Sequence, residues 1–421
     1  MEVHFCEEDD VLKKYKVKEE KKRELIFPID GVQVGTAATG LRYKERQDLA
    51  IFVISPGSNT SCFFTKNKFA AAPIEIAKRN IEKNEPLYLI INSGNANAGT
   101  GENGLTAASR ICESLAAEAG CEFENVLPFS TGVIGEELDY SLIVKHIPKA
   151  LYGVTDEGWM EAAEAIMTTD TFPKVRSKKF TLGNDIHTVT GICKGSGMIR
   201  PDMATMLAYI ATDANVSEPL LKKIGQTVLQ SSFNRITVDG ETSTNDAVVF
   251  IATGRTGSDK ITTESDSKYL PLLLSIDEIC SELAKDIVRD GEGASKLVSV
   301  EVAGAKTDDE AALVAYSVAE SSLVKTALFA EDPNWGRILS AVGASGVQEL
   351  DFSKVDLFVG EHKVASKGAL AAEYQEEKVA SVMKNKEFSI RVDLKNGECE
   401  TTVWTCDLSY DYVRINSEYR S

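Results

Sequence analysis

Hydrophobic positions along the chain fall into two rhythms. Short runs rich in β-branched and apolar residues predict strands: "LAIFVI" (49–54), "LYLIIN" (87–92), "MLAYIAT" (206–212), "RITVDG" (235–240), "DAVVFIAT" (246–253), "LVSVEVAG" (297–304), "VDLFVG" (355–360) and "FSIRVDL" (388–394). Segments with a period near 3.6 predict helices: "LTAASRICESLAAEAG", "EGWMEAAEAIMTT", "LLKKIGQTVLQSSF", "SIDEICSELAKDIVRD", "SSLVKTALFA" and "NWGRILSAVGA". "KKFTLGNDIHTVTGICKG" predicts a hairpin turning at Gly183-Asn184-Asp185. The alternation implies an α/β fold of layered sheets covered by helices. The first 25 or so residues, mixed in acid and lysine, read as an appended arm.

Composition and charge narrow the function. With 421 residues, 43% hydrophobic and 26% charged, the chain has an ordinary globular make-up and length for two or three structural units. A net charge of −18 and a pI near 4.9 argue against nucleic acid as a partner and against anionic membrane surfaces. No apolar run approaches the roughly 18 to 20 residues of a membrane span, and the acidic start lacks a signal-peptide core, so a cytoplasmic location is expected. Eight scattered cysteines without a C-x-x-C pair read as reduced core thiols, with no metal site. None of the four histidines sits in a context that recommends it as a catalytic base.

Candidate chemistry lies in the glycine-rich loops. "NSGNANAGTGENG" (92–104) follows a strand and precedes a helix, a setting in which successive N–H groups can face an anion, but no nucleotide-binding fingerprint is present. "STGVIGE" (130–136) reads either as a strand-to-helix turn or as a backbone N–H and a hydroxyl aimed at an oxyanion. "DGEGASK" (290–296) follows a long helix as a glycine cap and frames Glu292 between glycines; "CKGSG" frames Lys194 in the same way. The pair suits a ligand with one negative and one positive end. In "CKGSGMIRPDMATMLAYIATDA" (193–214), Thr205 opens an apolar run, and no side chain offers itself as a base. A chain break before Thr205 would supply one, because the freed α-amine has a pKa of about 7.7–8.0 and reaches its own Oγ. The bland alternative is a threonine that simply begins a strand.

These residues resemble the ornithine acetyltransferase (glutamate N-acetyltransferase) family, the self-cleaving enzymes of arginine biosynthesis. The similarity extends in order through "FAAAPIEIAKRN", "INSGNANAGTGENG", "STGVIGE", "AIMTTDTFPK", "SSFNRITVDGETSTNDAVV", "VRDGEGASK", "ALFAEDPNWGRILSAVGASG" and "CDLSYDYVRINSEYRS", over about residues 28–421. The resemblance implies an ornithine acetyltransferase-like fold of the N-terminal-nucleophile type. It implies self-cleavage between Ala204 and Thr205, giving an arm (1–27), an α chain (28–204) and a β chain (205–421). Thr205 would be the nucleophile of ping-pong transfer from N-acetylornithine to glutamate. Thr131 and Gly132 match the oxyanion-stabilising pair; Lys194, Glu292, Asn416 and Ser421 match substrate-contacting positions, as does Thr168, with Thr169 the nearby alternative. The charges place a carboxylate on Lys194 and an ammonium on Glu292. Further implications are an α2β2 assembly, no cofactor, and acetyl-CoA as a possible second donor. The chain departs from the family pattern at Arg200 and Asp202, beside the junction, and at Gly99, where a cysteine is common. A self-processing amidase or aminopeptidase with an N-terminal nucleophile is the alternative activity.

Overall fold

A computed structural model describes residues 25–42, 44–200 and 206–419. The predicted positions Ala204, Thr205 and Ser421 lie outside the described residues. Three sheets organise the chain. The first holds β1 (Val32–Ala37), β2 (Leu49–Ile54), β4 (Tyr88–Asn95) and β5 (Val126–Val133), in the order β1-β2-β4-β5. The second runs β3-β10-β8-β7-β6, from β3 (Asn59–Phe64), β6 (Lys174–Leu182), β7 (Asp185–Lys194), β8 (Leu207–Thr212) and β10 (Ala247–Ala252). The third is seven-stranded: β14-β13-β12-β15-β11-β16-β9, with β9 (Ile236–Thr237), β11 (Leu297–Ala305), β12 (Asp356–Val359), β13 (His362–Ser366), β14 (Ala369–Leu370), β15 (Glu387–Asp393) and β16 (Cys399–Cys406).

The first two sheets face each other, and side-chain parity fixes the layering. In β2, Ala50, Phe52 and Ile54 point to the second sheet, where Leu207, Tyr209 and Ala211 of β8 and Ala247, Val249 and Ile251 of β10 meet them. Phe52 stacks on Tyr209 at a centroid separation of 5.3 Å, with Trp159 and Phe129 edge-on at 5.5 Å each. Replacing one such buried ring by Ala costs roughly 3–5 kcal/mol. The opposite parity of β2, Leu49 and Ile51, packs under helices α2 (Gly101–Ala119) and α3 (Tyr140–Tyr152). Ala208, Ile210, Val248 and Phe250 leave the second sheet outward, beneath α5 (Glu218–Ser231) and α6 (Tyr269–Arg289). The result is helix, sheet, sheet, helix, so both central sheets are covered on both faces and β8 and β10 are buried at every position. Helix α1 (Ala72–Lys83) lies against β5, and α4 (Trp159–Ala165) feeds Trp159 into the space between the sheets.

The third sheet is covered by α7 (Asp308–Ala319), α8 (Ser322–Phe329), α9 (Trp335–Gly343) and α10 (Glu376–Met383), and the chain closes with α11 (Tyr410–Glu418). Helix α7 carries a clear local signal. Thr307 caps it by accepting the Glu310 N–H, and Asp308, Asp309 and Glu310 face the positive end of its dipole. Among the described residues no single helix is long and apolar enough to cross a membrane. The seven described cysteines are free.

Several expectations shift. The strand expected over 235–240 shrinks to Ile236–Thr237, because Val238 N–H turns aside to donate to Ile199 O (2.8 Å) and Asp239 follows it. The helix expected over 157–169 stops at Ala165, where the Thr168 N–H turns back to Asp170 Oδ2 (2.9 Å). The long helix before "DGEGASK" starts at Tyr269 and is capped by Asp290 at φ −96°, not by a glycine. The left-handed residue is Gly293 (φ +71°), where a Cβ would come 2.6 Å from Tyr412 N.

Candidate active site

One end of the two facing sheets gathers the buried polar groups. Strand β5 delivers Ser130, Thr131 and Gly132; β7 ends on Lys194; β8 and β10 begin beside it, with Lys194 opposite Leu207 and Ala247 opposite Leu207 from the other side. The sheets are laced together there by Asn245, whose Nδ2 donates to Ala96 O (2.6 Å) and Ser130 O (2.9 Å). Gly132 has φ +135°, and a Cβ on it would lie 2.3 Å from the Gly94 carbonyl carbon. Only glycine allows β4 and β5 to approach this closely at their bulged ends.

Lys194 is the centre of the cluster. Its Nζ donates to Thr131 Oγ1 (3.2 Å) and Thr168 Oγ1 (2.9 Å), so the ammonium rests on hydroxyls instead of a carboxylate. Burial consequently pulls its pKa below the ordinary lysine value, although Asp170 acts against the shift. Because Thr131 accepts from Lys194, its own O–H remains available to donate into the site. Thr131 and Lys194 are both buried.

A second buried lysine lies one strand away. Lys174 of β6 pairs across the ladder with Cys193 and donates to Asp170 Oδ1 (2.7 Å) and Asp290 Oδ2 (2.5 Å). Burial opposes the Asp170 carboxylate, but the Lys174 and Lys194 ammonium groups outweigh it and hold Asp170 well below the usual carboxylate range. Asp290 shifts the other way, pushed up by burial despite Lys174. Asp170 also accepts the Gly195 N–H (2.8 Å), so its carboxylate anchors the backbone that follows Lys194, while Ser196 Oγ donates to the main-chain carbonyl of Asp290 (2.5 Å).

Glu292 closes the opposite side. Its N–H donates to Ser196 O (2.9 Å) and its Oε2 accepts from Asn416 Nδ2 of α11 (2.7 Å). Burial raises its carboxyl above the ordinary value, against hydrogen bonds from Thr169 and Asn416 and the Lys194 charge. Gly197 leaves room for it, since a Cβ there would sit 2.4 Å from the Glu292 carboxyl carbon and push the carboxyl aside. The structure therefore divides the two threonines considered for one position: Thr168 contacts Lys194, and Thr169 contacts Glu292.

The six described sequence candidates, Thr131, Gly132, Thr168, Lys194, Glu292 and Asn416, converge on this end of the sheets. Asp170, Lys174, Asp290, Asp239 and Asp246 were not singled out from the sequence. Asp246 is 2% exposed, precedes β10, and has an Oδ2 without a hydrogen-bond partner among the described residues; burial pushes its carboxyl well above the usual range. Only its position before a buried strand hinted at it. Among the described residues no group of three or more His, Cys, Asp or Glu could hold a metal ion. His187 is buried against Asp213 Oδ1 at 3.3 Å, away from the cluster at the far end of β7, as a structural histidine.

Two facing sheets between helical layers, with a buried cation on hydroxyls across from a buried carboxyl, define a layered α/β fold with a charged cluster at one end of its sheets. Residues 33–421 match the ArgJ family, and the chain belongs to it. It is 50% identical over 398 residues to the arginine biosynthesis bifunctional protein ArgJ of Psychrobacter arcticus, covering 94% of this chain and 98% of that one. The Pseudomonas fluorescens protein of the same name is 48% identical over 396 residues, with 94% and 98% covered. The crystal structure of arginine biosynthesis bifunctional protein argJ from Bacillus halodurans is 40% identical, covers 50% of this chain and 97% of that one, and superposes with a TM-score of 0.48.

Proposed function

We propose that this protein is a glutamate N-acetyltransferase of arginine biosynthesis that carries the acetyl group of N2-acetylornithine to glutamate on Thr205. What carries the reading is the meeting of Thr131, Thr168, Lys194 and Glu292 at one buried site in a chain 50% identical to a named arginine-biosynthesis protein. Maturation comes first. Thr205 Oγ attacks the Ala204 carbonyl, the acyl group shifts from N to O, and water cleaves the ester. The α chain then ends at Ala204 and the β chain begins with a free Thr205 amine, residues 1–27 remaining as an arm on the α chain.

That amine is the base. It takes the Thr205 hydroxyl proton as Oγ attacks the acetyl carbonyl, and returns the proton to the departing ornithine nitrogen. The oxyanion formed between these steps is held by Thr131 and Gly132. Lys194 receives the substrate carboxylate and Glu292 the side-chain ammonium, with Thr168, Asn416 and Ser421 completing the contacts. Glutamate then enters, its amine attacks the acetyl ester, and N-acetylglutamate leaves. The chemistry requires no metal or cofactor; acetyl-CoA is a candidate second donor. The enzyme works in the cytoplasm as an α2β2 assembly.

Incubation with N-acetylornithine and glutamate tests the activity. Stoichiometric N-acetylglutamate and ornithine are expected. Release of acetate without N-acetylglutamate would instead assign the site to a self-processing amidase.

A further inference from the structure

The backbone on the N-terminal side of the proposed cleavage junction is held by one carboxylate, Asp239. Its Oδ2 accepts the Met198 N–H (2.7 Å) and its Oδ1 the Ile199 N–H (2.8 Å). Tyr412 Oη of α11 donates to the same Oδ2 (3.3 Å) and the Glu241 N–H to Oδ1 (3.3 Å). Immediately beyond, Ile199 O accepts from Val238 N (2.8 Å) and Thr237 Oγ1 (3.2 Å), and Arg200 Nε pairs with Glu320 (2.8 Å). On the other side of the junction, Met206 O accepts the Ala247 N–H (2.9 Å) as the chain enters β8.

This hold is unusual for its strand. Asp239 belongs to the run "RITVDG", which leaves the third sheet after Thr237 to reach residues 198–199. Met198 has φ +56°, a conformation that a long unbranched side chain disfavours, and its side chain is 40% exposed, so packing does not impose it. The Met198 and Ile199 N–H groups of this turn both end on Asp239.

We propose that Asp239 is a positioning residue for maturation: it clamps the backbone of Met198 and Ile199, on the N-terminal side of the Ala204–Thr205 junction, and self-cleavage depends on that clamp. The inference rests on the self-cleavage reading above. It also places Tyr412, one turn from the Glu292 ligand Asn416, on the same carboxylate as the junction's anchor. The described contacts of Asp239 are the N–H groups of Met198, Ile199 and Glu241 and the Tyr412 hydroxyl, so its hold is on the backbone.

The test follows conversion of full-length chain to two fragments over time on denaturing gels, with thermal unfolding of the uncut protein as the check on folding. Asp239→Ala, which loses both acceptors, should slow cleavage at least about tenfold, or 1.36 kcal/mol of barrier. Asp239→Asn keeps one acceptor oxygen and should fall between Asp239→Ala and the parent. Adding Met198→Gly to Asp239→Ala removes the conformational demand and should restore much of the rate, a rescue that a general loss of structure would not permit. Parent-like cleavage in Asp239→Asn or Asp239→Ala, or no rescue by Met198→Gly, overturns the clamp. Should Asp239→Ala fail to fold, the near-isosteric Asp239→Asn decides alone. A parent chain that never cleaves would defeat the self-cleavage reading itself, whereas normal parent cleavage with an unaffected Asp239→Asn defeats only the clamp.

Discussion

Lys174 and Lys194 are both buried at the same end of the second sheet, on the paired strands β6 and β7, yet their surroundings differ. Lys174 sits between two carboxylates, which overcome its burial and raise its pKa. Lys194 sits on two hydroxyls, and burial lowers its pKa. The first arrangement is complete without a ligand. The second gives the cation only hydroxyls as hydrogen-bond partners among the described residues, and in the proposed function a substrate carboxylate joins them. Under the proposed function, the adjacent lysines separate into a structural and a substrate-binding group by the partners their ammonium groups contact.

Substitution breaks the comparison most sharply at Lys174. Lys174→Met strands Asp170 and Asp290, and loss of one partner of a buried ionic cluster costs about 3–5 kcal/mol, measurable by urea unfolding. Lys194→Met removes a poorly paired buried charge and should leave stability within about 1 kcal/mol while lowering kcat/KM roughly 100-fold or more, about 2.7 kcal/mol. Equal stability losses in the two variants would erase the distinction. A smaller effect is expected from Glu292→Gln: loss of one charge-assisted contact of about 1.5–3 kcal/mol should raise KM for N-acetylornithine more than it lowers kcat, in steady-state assays.

The smallest effect concerns pH. The Asp246 carboxyl is raised in the folded protein above its unfolded value, so the folded state binds the extra proton. Its contribution to stability is therefore present at low pH and declines as pH rises from the unfolded pKa, about 3.9, through the folded one. Asp246→Asn should flatten this decline, so that unfolding measured as a function of pH gives the variant a growing relative advantage at higher pH. Parallel profiles would show that Asp246 does not titrate in this way.

Periodicity located most strands to within a few residues, and Lys194, Glu292, Thr131 and Gly132 stood out because glycines bracket or adjoin them. Helix α7 escaped, although Thr307 and Glu310 form the T-x-x-E signature of a helix start. The carboxylates around Lys174 escaped for a different reason. Asp290 lies 116 residues from its lysine, and nothing local marks a pairing that only the packing of α6 against β6 creates. The choice between Thr168 and Thr169 was likewise undecidable from spacing, because the turn at Asp170 sends the two side chains to different partners.

The central claim is that an acetyl group rides on a threonine exposed by chain cleavage. Intact mass spectrometry of the purified protein mixed with N-acetylornithine, without glutamate, measures it directly. The account predicts two fragments divided between Ala204 and Thr205, with the fragment beginning at Thr205 heavier by one acetyl group and returning to its original mass when glutamate is added. A single uncut chain, or a cleaved fragment that never gains the acetyl group, would contradict it.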